Sequence, residues 1–317
     1  MSGSVIGRMN VQISSLRKTY GDYVALDDVT FTIPSGAVLA LAGPNGAGKT
    51  TLMKIISGLG EPTSGKVLIN DLDVTENPRE AHKSLGFLGD LFGLYDDLTV
   101  RQFLLYFARA YEIPPGKREE VSQRLIEKCH LVHKADTTIK SLSRGLRQRV
   151  GIARTLINDP PLILLDEPSA GLDPEARNDL QNLFLELGAE GKTLIVSSHI
   201  LTELEDYCSH VALLNKGKLV SFGELNSLRR TENRFRNFVI DVIEGAELAE
   251  KTLQSRATVQ NIRRLKNSFT FAFDGDESAQ ADLLAALVTA GVRLIKFDEQ
   301  AGRIQEAYLA HMKGSRE

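Results

Sequence analysis

Only two cysteines, Cys129 and Cys208, occur among the 317 residues. That scarcity excludes a disulfide framework and points to a reducing compartment. There is no excess of positive charge either: 38 Lys and Arg stand against 41 Asp and Glu, a formal net charge of −3. No global positive field draws such a chain onto nucleic acid, so no nucleic-acid partner is expected. No uninterrupted apolar run approaches the roughly 20 residues of a membrane helix. The opening MSGSVIGRMN lacks the apolar core of a signal peptide. Internal repeats and low-complexity tracts are missing as well. Hydrophobic residues at 42% and charged residues at 25% are globular proportions. The expectation is a soluble intracellular protein of about two domains.

What is present is a succession of strand and helix patterns. Val11 and Ile13, then Val29, Phe31 and Ile33, alternate with polar residues as a half-buried strand does. Ala37 to Ala42 is short and wholly apolar, like a buried parallel strand. A helix is expected from Lys49 to about Leu59, then strands at Val67 to Ile69 and Leu85 to Leu88. From about Thr99 to Leu156 the pattern is helical. Phe103, Phe107, Ala110 and Tyr111 share one face, Pro114-Pro115-Gly116 interrupts, and Val121, Leu125 and Cys129 resume the spacing. Leu162 to Leu165 and Leu194 to Ser197 are further buried-strand runs, with a helix from Glu175 to Leu187 between them. This alternation predicts a largely parallel α/β sheet. Near residue 227, Arg229, Arg230, Arg234 and Arg236 crowd a polar stretch that reads as a linker or as a contact for anionic lipid. Beyond it the order is βαββαβ plus a terminal helix from Arg303 to Met312, which suits a small ferredoxin-like sandwich. The expected domains are 1–228, with a helical subdomain at about 99–156, and a small α+β domain at 229–317.

Gly43-Pro44-Asn45-Gly46-Ala47-Gly48-Lys49-Thr50 matches the G-x-x-x-x-G-K-[ST] phosphate loop, between a buried strand and a helix as the motif requires. Glycines let backbone N–H groups turn inward around a phosphate, and the helix N-terminus adds a positive dipole end. Lys49 is expected to bridge the β- and γ-phosphates of ATP, and Thr50 to place its hydroxyl on Mg²⁺. Thr51 completes the ATP-binding stretch. Asp166 and Glu167 end the buried run Leu162–Leu165, the strand end at which open α/β sheets bind ligands. Asp166 is the candidate Mg²⁺ partner and Glu167 the candidate general base. His199, after Ser197-Ser198, either contacts the γ-phosphate and the attacking water or caps a helix at the surface.

From about Val11 to Leu228 these residues resemble the nucleotide-binding subunit of an ATP-binding-cassette (ABC) transporter, a P-loop NTPase with a mixed sheet core and a helical subdomain. Leu142-Ser143-Arg144-Gly145-Leu146 stands where that family has its LSGGQ signature. Ser143 and Gly145 keep the phosphate-contacting positions, whereas Arg144 and Leu146 depart from the usual residues; the arginine at the third position is similar to a variant of bacterial ABC-2 exporters. Ser169-Ala170-Gly171-Leu172-Asp173 resembles the D-loop, and Tyr20 the aromatic that stacks on adenine. Where the family has Gln or Glu, this chain has Asp90. Its shorter carboxylate either reaches Mg²⁺ through water, as a hard oxygen ligand does, or is a non-ligating loop residue.

The resemblance implies an ATPase that acts as a head-to-tail dimer, with a second copy of itself or with a related subunit. Ser143, Gly145 and Asp173 then serve the opposing nucleotide, because one chain carries one copy of each motif. It also implies separate transmembrane permease subunits, a place on the inner face of the cell membrane, and export. The apolar segment from Phe87 to Tyr111 suits docking on those subunits, with Leu91, Phe92 and Tyr95 as its exposed members. A soluble ABC ATPase acting on a non-membrane assembly is the alternative. Translation factors of that kind carry two cassettes in one chain, and chromosome ATPases insert a coiled coil of which no heptad run appears here. The C-terminal domain carries no motif to which chemistry attaches.

Overall fold

The computed structural model describes residues 9–200, 204, 206–225, 227 and 236–300. Arg229, Arg230 and Arg234 of the expected linker, and the expected helix from Arg303 to Met312, lie outside the described residues. The chain divides into two compact units, Met1–Leu225 and Asn226–Glu317. No described helix is long and apolar enough to cross a membrane.

The first unit holds two sheets. β1 (Val11–Tyr20) and β2 (Tyr23–Ile33) form a hairpin that β4 (Ser64–Ile69) and β5 (Leu72–Asp73) extend in the order β2-β1-β4-β5. Its turn is Gly21-Asp22, with Tyr20 paired to Tyr23 and Gly21 at φ +58°. A glycine at the first central position is what a two-residue II′ turn requires. The second sheet contains β3 (Val38–Ala42), β6 (Leu85–Leu88), β7 (Leu162–Leu165), β8 (Thr193–Ser198), β9 (His210–Asn215) and β10 (Lys218–Glu224), in the order β10-β9-β3-β8-β7-β6. All neighbours there run parallel except β9 and β10. Every residue of β3, β7 and β8 is buried, so both faces are covered and the strands are apolar throughout. Because the three run in one direction, their C-terminal ends lie at one edge of the sheet.

Helix α1 (Lys49–Ile56) stops three residues short of the expected Leu59. Gly58 takes φ +70°, and the N–H groups of Gly58 and Leu59 return to Ile55 and Lys54. That Schellman pattern ends a helix by satisfying its last carbonyls. Helix α2 (Pro78–Ser84) precedes β6. Between β6 and β7 stand α3 (Val100–Ala110), α4 (Arg118–Lys128) and α5 (Arg144–Thr155). Thr99 and Gln102 close a reciprocal capping box on α3, and Ser143 caps α5. Helix α6 (Pro174–Ala189) joins β7 to β8, with Asp173 as its cap.

In the second unit β11 (Arg236–Glu244), α7 (Ala246–Gln254), β12 (Val259–Leu265), β13 (Ser268–Phe273), α8 (Glu277–Thr289) and β14 (Arg293–Gln300) follow the βαββαβ order. The sheet order is β12-β13-β11-β14, wholly antiparallel. This is the interleaved pair of split βαβ units of a ferredoxin-like sandwich. Phe238, Ile240, Phe269, Phe273 and the helix residues Leu253 and Leu287 form its core.

Candidate functional site

The phosphate loop fits its surroundings through backbone. A Cβ at Gly43 would stand 2.3 Å from the Leu214 carbonyl oxygen, and one at Gly48 (φ +105°) 2.6 Å from that of Ala25. Only glycine meets both demands. The Lys216-Gly217 turn between β9 and β10 supports the loop from beneath. The Gly217 N–H donates to the Ala47 carbonyl at 3.1 Å, and its own carbonyl accepts from Asp27 at 2.8 Å. Lys49, the first residue of α1, is buried. Its Nζ donates to the carbonyls of Gly43 (2.8 Å) and Pro44 (3.4 Å), and lies 3.4 Å from Glu167 Oε1.

The acidic pair sits just beyond β7. Asp166 is 2% exposed, and its Oδ1 accepts from Ser197 Oγ at 2.6 Å. Glu167 takes φ +50°, a left-handed conformation that is costly for a non-glycine residue. Its N–H donates to the same Ser197 Oγ at 2.8 Å. Glu167 Oε2 is 2.9 Å from His199 Nδ1. A carboxylate only accepts, so the shared hydrogen is on the imidazole. His199 thus meets Glu167 while remaining exposed.

One cavity of about 390 Å³ brings together Tyr20, Asn45, Gly46, Ala47, Gly48, Lys49, Thr50, Thr51, Asp90, Glu167 and His199. Tyr23, Ala25 and Ala170 line it too; the sequence pointed to Ala170 only within the stretch that resembles the D-loop, and to neither Tyr23 nor Ala25. Tyr23 enters because the two-residue turn sets it beside Tyr20, and its hydroxyl donates to the Gly46 carbonyl at 3.4 Å. The signal available was the turn itself, a Gly-Asp between two tyrosines. Gly43 and Pro44 hold Lys49 from outside the cavity lining. Ser143, Gly145 and Asp173 do not line it. The Ser143 hydroxyl accepts from Leu146 N–H, and Asp173 accepts from Ala176 N–H, each at a helix start. The departing signature residue Arg144 rests its guanidinium against Gly171 (φ +69°), where a Cβ would come within 2.4 Å of it.

Among the described residues no cluster of three or more His, Cys, Asp or Glu could hold a metal unaided. Asp166 Oδ2, however, is buried with no hydrogen-bond partner. A buried orphan carboxylate oxygen beside a phosphate loop fits a cation of the Mg²⁺ type, which keeps waters and substrate oxygens around one or two carboxylates. Thr50, Asp90 and Glu167 line the cavity, whereas Asp166, the residue before Glu167, does not.

The segment expected for docking is split by the structure. Leu91 is 96% exposed and Tyr95 is also exposed. Phe92 is half-buried, contrary to expectation, because its ring packs on Gly151, where a Cβ would come within 2.7 Å. Phe103 and Leu104 are core, and Phe107 packs among Tyr95, Phe103 and Tyr106.

A phosphate loop closed by a buried lysine, facing two carboxylates and a histidine at the ends of parallel strands, defines a P-loop nucleotide-hydrolysing cassette. Comparison with known proteins agrees. The family model described as ABC transporter matches residues 26–170. "Nod factor export ATP-binding protein I" of Rhizobium sp. (strain N33) is 35% identical over 223 residues, 70% of this chain and 73% of that protein. Its counterpart in Rhizobium johnstonii is 34% identical over 267 residues, 84% of each chain. A solved ATP-binding subunit of an ABC transporter superposes with a TM-score of 0.63 at 32% identity, covering 69% of this chain and 92% of that one. A dimeric post-hydrolysis ATP-binding cassette bound to ADP and Pi gives 0.62 at 27% identity, covering 68% and 98%. The chain belongs to the ABC transporter family as an ATP-binding subunit. ATP is its substrate and ATP hydrolysis its activity.

Proposed function

We propose that this ATPase powers export through separate membrane-spanning permease subunits, by closing around two ATP molecules with a second copy of itself or a related subunit. The observation that carries the reading is the line Lys49–Glu167–His199. One carboxylate oxygen lies 3.4 Å from the ammonium and the other 2.9 Å from the imidazole. That arrangement supports a base aimed between the cation that receives phosphates and the histidine that fixes its orientation.

In this reading Lys49 and the loop amides from Gly43 to Thr51 hold the β- and γ-phosphates. Thr50, Asp166 and Asp90 hold Mg²⁺, which when bound neutralises phosphate charge. Glu167 accepts the proton of the attacking water. His199 holds that carboxylate and contacts the γ-phosphate. Tyr20 stacks on adenine, with Tyr23 beside it. Ser143 and Gly145, at the start of α5, complete the nucleotide of the opposing copy, and Asp173 adjoins them. Nucleotide binding between copies favours the closed state over the open one, as a switch requires. Leu91, Tyr95, Tyr106 and Tyr111 are exposed and suit contact with a permease, a reading in which the chain sits on the cytoplasmic face of a membrane. The relatives described as export ATP-binding proteins support export.

Glu167→Gln tests the reading. The variant is expected to bind ATP, accumulate as a dimer in size exclusion, and lose turnover by about a hundredfold to ten-thousandfold. Undiminished turnover would give the base role to another residue. Capture of the chain from gently solubilised cells is expected to bring a multi-span membrane protein in stoichiometric amount. Recovery of soluble partners alone would redirect the function to a non-membrane assembly.

A further inference from the structure

Ser197 belongs neither to the phosphate loop nor to the acidic pair, yet its one hydroxyl touches both members of that pair. β7 and β8 are paired in parallel from Leu162↔Thr193 to Leu165↔Val196, and the ladder stops there. One residue further, Asp166 N–H turns to the Leu88 carbonyl on the other side. Glu167 N–H is then left with Ser197 Oγ as its acceptor, at 2.8 Å. A side-chain oxygen thus stands in for a ladder carbonyl at the point where the strand ends.

That substitution has a geometric result. In a continuing strand, adjacent side chains point to opposite faces, so Asp166 and Glu167 could not serve one site. At φ +50° Glu167 breaks the alternation, and its carboxylate reaches Lys49 and His199. The same hydroxyl donates its hydrogen to Asp166 Oδ1 at 2.6 Å, the short distance of a charge-assisted bond. Oδ1 is therefore engaged, and Oδ2 is the buried oxygen without a partner. Ser197 is itself 0% exposed, so water does not replace it.

We propose that Ser197 is the positioning residue of the site: by accepting from Glu167 N–H and donating to Asp166 Oδ1, its one hydroxyl sets the base in its left-handed turn and leaves Asp166 Oδ2 for the cation. The inference rests on the reading of Asp166 as metal partner and Glu167 as base. Both partners lie on β7 or just past it, so the hydroxyl couples the end of β8, which carries His199, to the residues it must face.

The test compares Ser197→Ala, Ser197→Cys and Ser197→Thr in the full-length protein, with Glu167→Gln alongside. Two quantities are read: kcat and KM for ATP, and the Mg²⁺ concentration giving half-maximal binding of a fluorescent ATP analogue at equilibrium. Ser197→Ala is expected to raise the Mg²⁺ midpoint and lower kcat by about tenfold to a hundredfold, as loss of a partner behind a metal ligand does. Analogue binding without Mg²⁺ and KM are expected to stay within about threefold, because the contacts of the phosphate loop and of Tyr20 with the nucleotide are untouched. Ser197→Thr restores both quantities, and Ser197→Cys, a weak donor, falls between. A wild-type midpoint and kcat in Ser197→Ala overturns the inference. So does a threonine variant as impaired as the alanine one, since packing rather than the hydroxyl would then matter. Should Ser197→Ala not fold, the remaining pair decides, and equal cysteine and threonine values overturn the proposal. Full turnover in Glu167→Gln would instead sink the underlying reading of the site, whatever Ser197 does.

Discussion

The two units are built from the same materials and use them differently. Each has a sheet of apolar strands with helices packed on it and fully buried phenylalanine or leucine at its centre. In the first, β3, β7 and β8 are buried along their whole length. Apart from Thr193 at the start of β8, their polar residues gather where the strands stop, at Asp166-Glu167 and Ser197-Ser198-His199. In the second, polar residues are spread along the strands. β12 alternates or exposes Gln260, Asn261, Arg263 and Arg264, and the turns at Gly245, Asn267 and Gly291 serve only to reverse the chain. A site arises where several parallel strands end together. An antiparallel sandwich of equal packing sends alternate strand ends in opposite directions and concentrates nothing.

That contrast can be broken by experiment. Lys49→Ala removes the buried cation from the strand-end cluster and is expected to lower ATP affinity by about a thousandfold, the scale of leaving desolvated charges unpaired. Titration with labelled ATP checks it, and wild-type affinity would deny the loop its role. Phe238→Ala strikes the other unit. Phe238 is 1% exposed and packs on Phe271, Phe273 and Phe297. Its truncation is expected to cost about 3 kcal/mol, read by hydrogen exchange in 236–300, with ATP affinity unchanged. The cysteines separate the two responses. Cys129 and Cys208 both lie buried in the first unit, and burial pushes the Cys129 thiol up to about 12. Thiol labelling therefore reports opening of the first unit alone, and faster labelling in Phe238→Ala would mean that the units share their stability.

Smaller effects sharpen the same contrast. Tyr20→Ala is expected to cost about 1–3 kcal/mol of ATP affinity without altering affinity for inorganic triphosphate, measured by competition. Asp276 accepts from Ala279 N–H at the start of α8. Asp276→Ala is expected to lower stability of the second unit by about 1 kcal/mol and to leave turnover unchanged, as thermal melts and ATPase assays can check.

The strand-end cluster was legible in the sequence because its strands are apolar runs and its residues sit immediately after them. Asp166, Glu167 and His199 could each be placed by that rule, and Lys49 by the spacing of the phosphate-loop motif. Ser197 could not, since a serine at the end of Leu194-Ile195-Val196 reads as strand, and its role depends on the register of β7 against β8. Tyr23 depends in the same way on the register of β1 against β2. The β9–β10 hairpin went unread, although Asn215-Lys216-Gly217 marks its turn and Lys216 and Gly217 both take positive φ. Helix α2 has one buried residue, Ala81, and hence no stripe to detect. Ser143, Gly145 and Asp173 were legible only by family resemblance, because within one chain they do no more than begin helices.

The floor of the phosphate loop consists of two carbonyl oxygens, from Leu214 and Ala25, against which Gly43 and Gly48 are pressed. Every residue type supplies the same oxygen. A substitution at 25 or 214 leaves that oxygen in place, so what limits the side chain is the cavity that Ala25 lines and the core that Leu214 fills, not the loop. An inserted or deleted residue in β2 or β9 is another matter, because it slides the oxygens out from under the loop. Here the site tolerates spelling changes in its neighbours but not changes in their length.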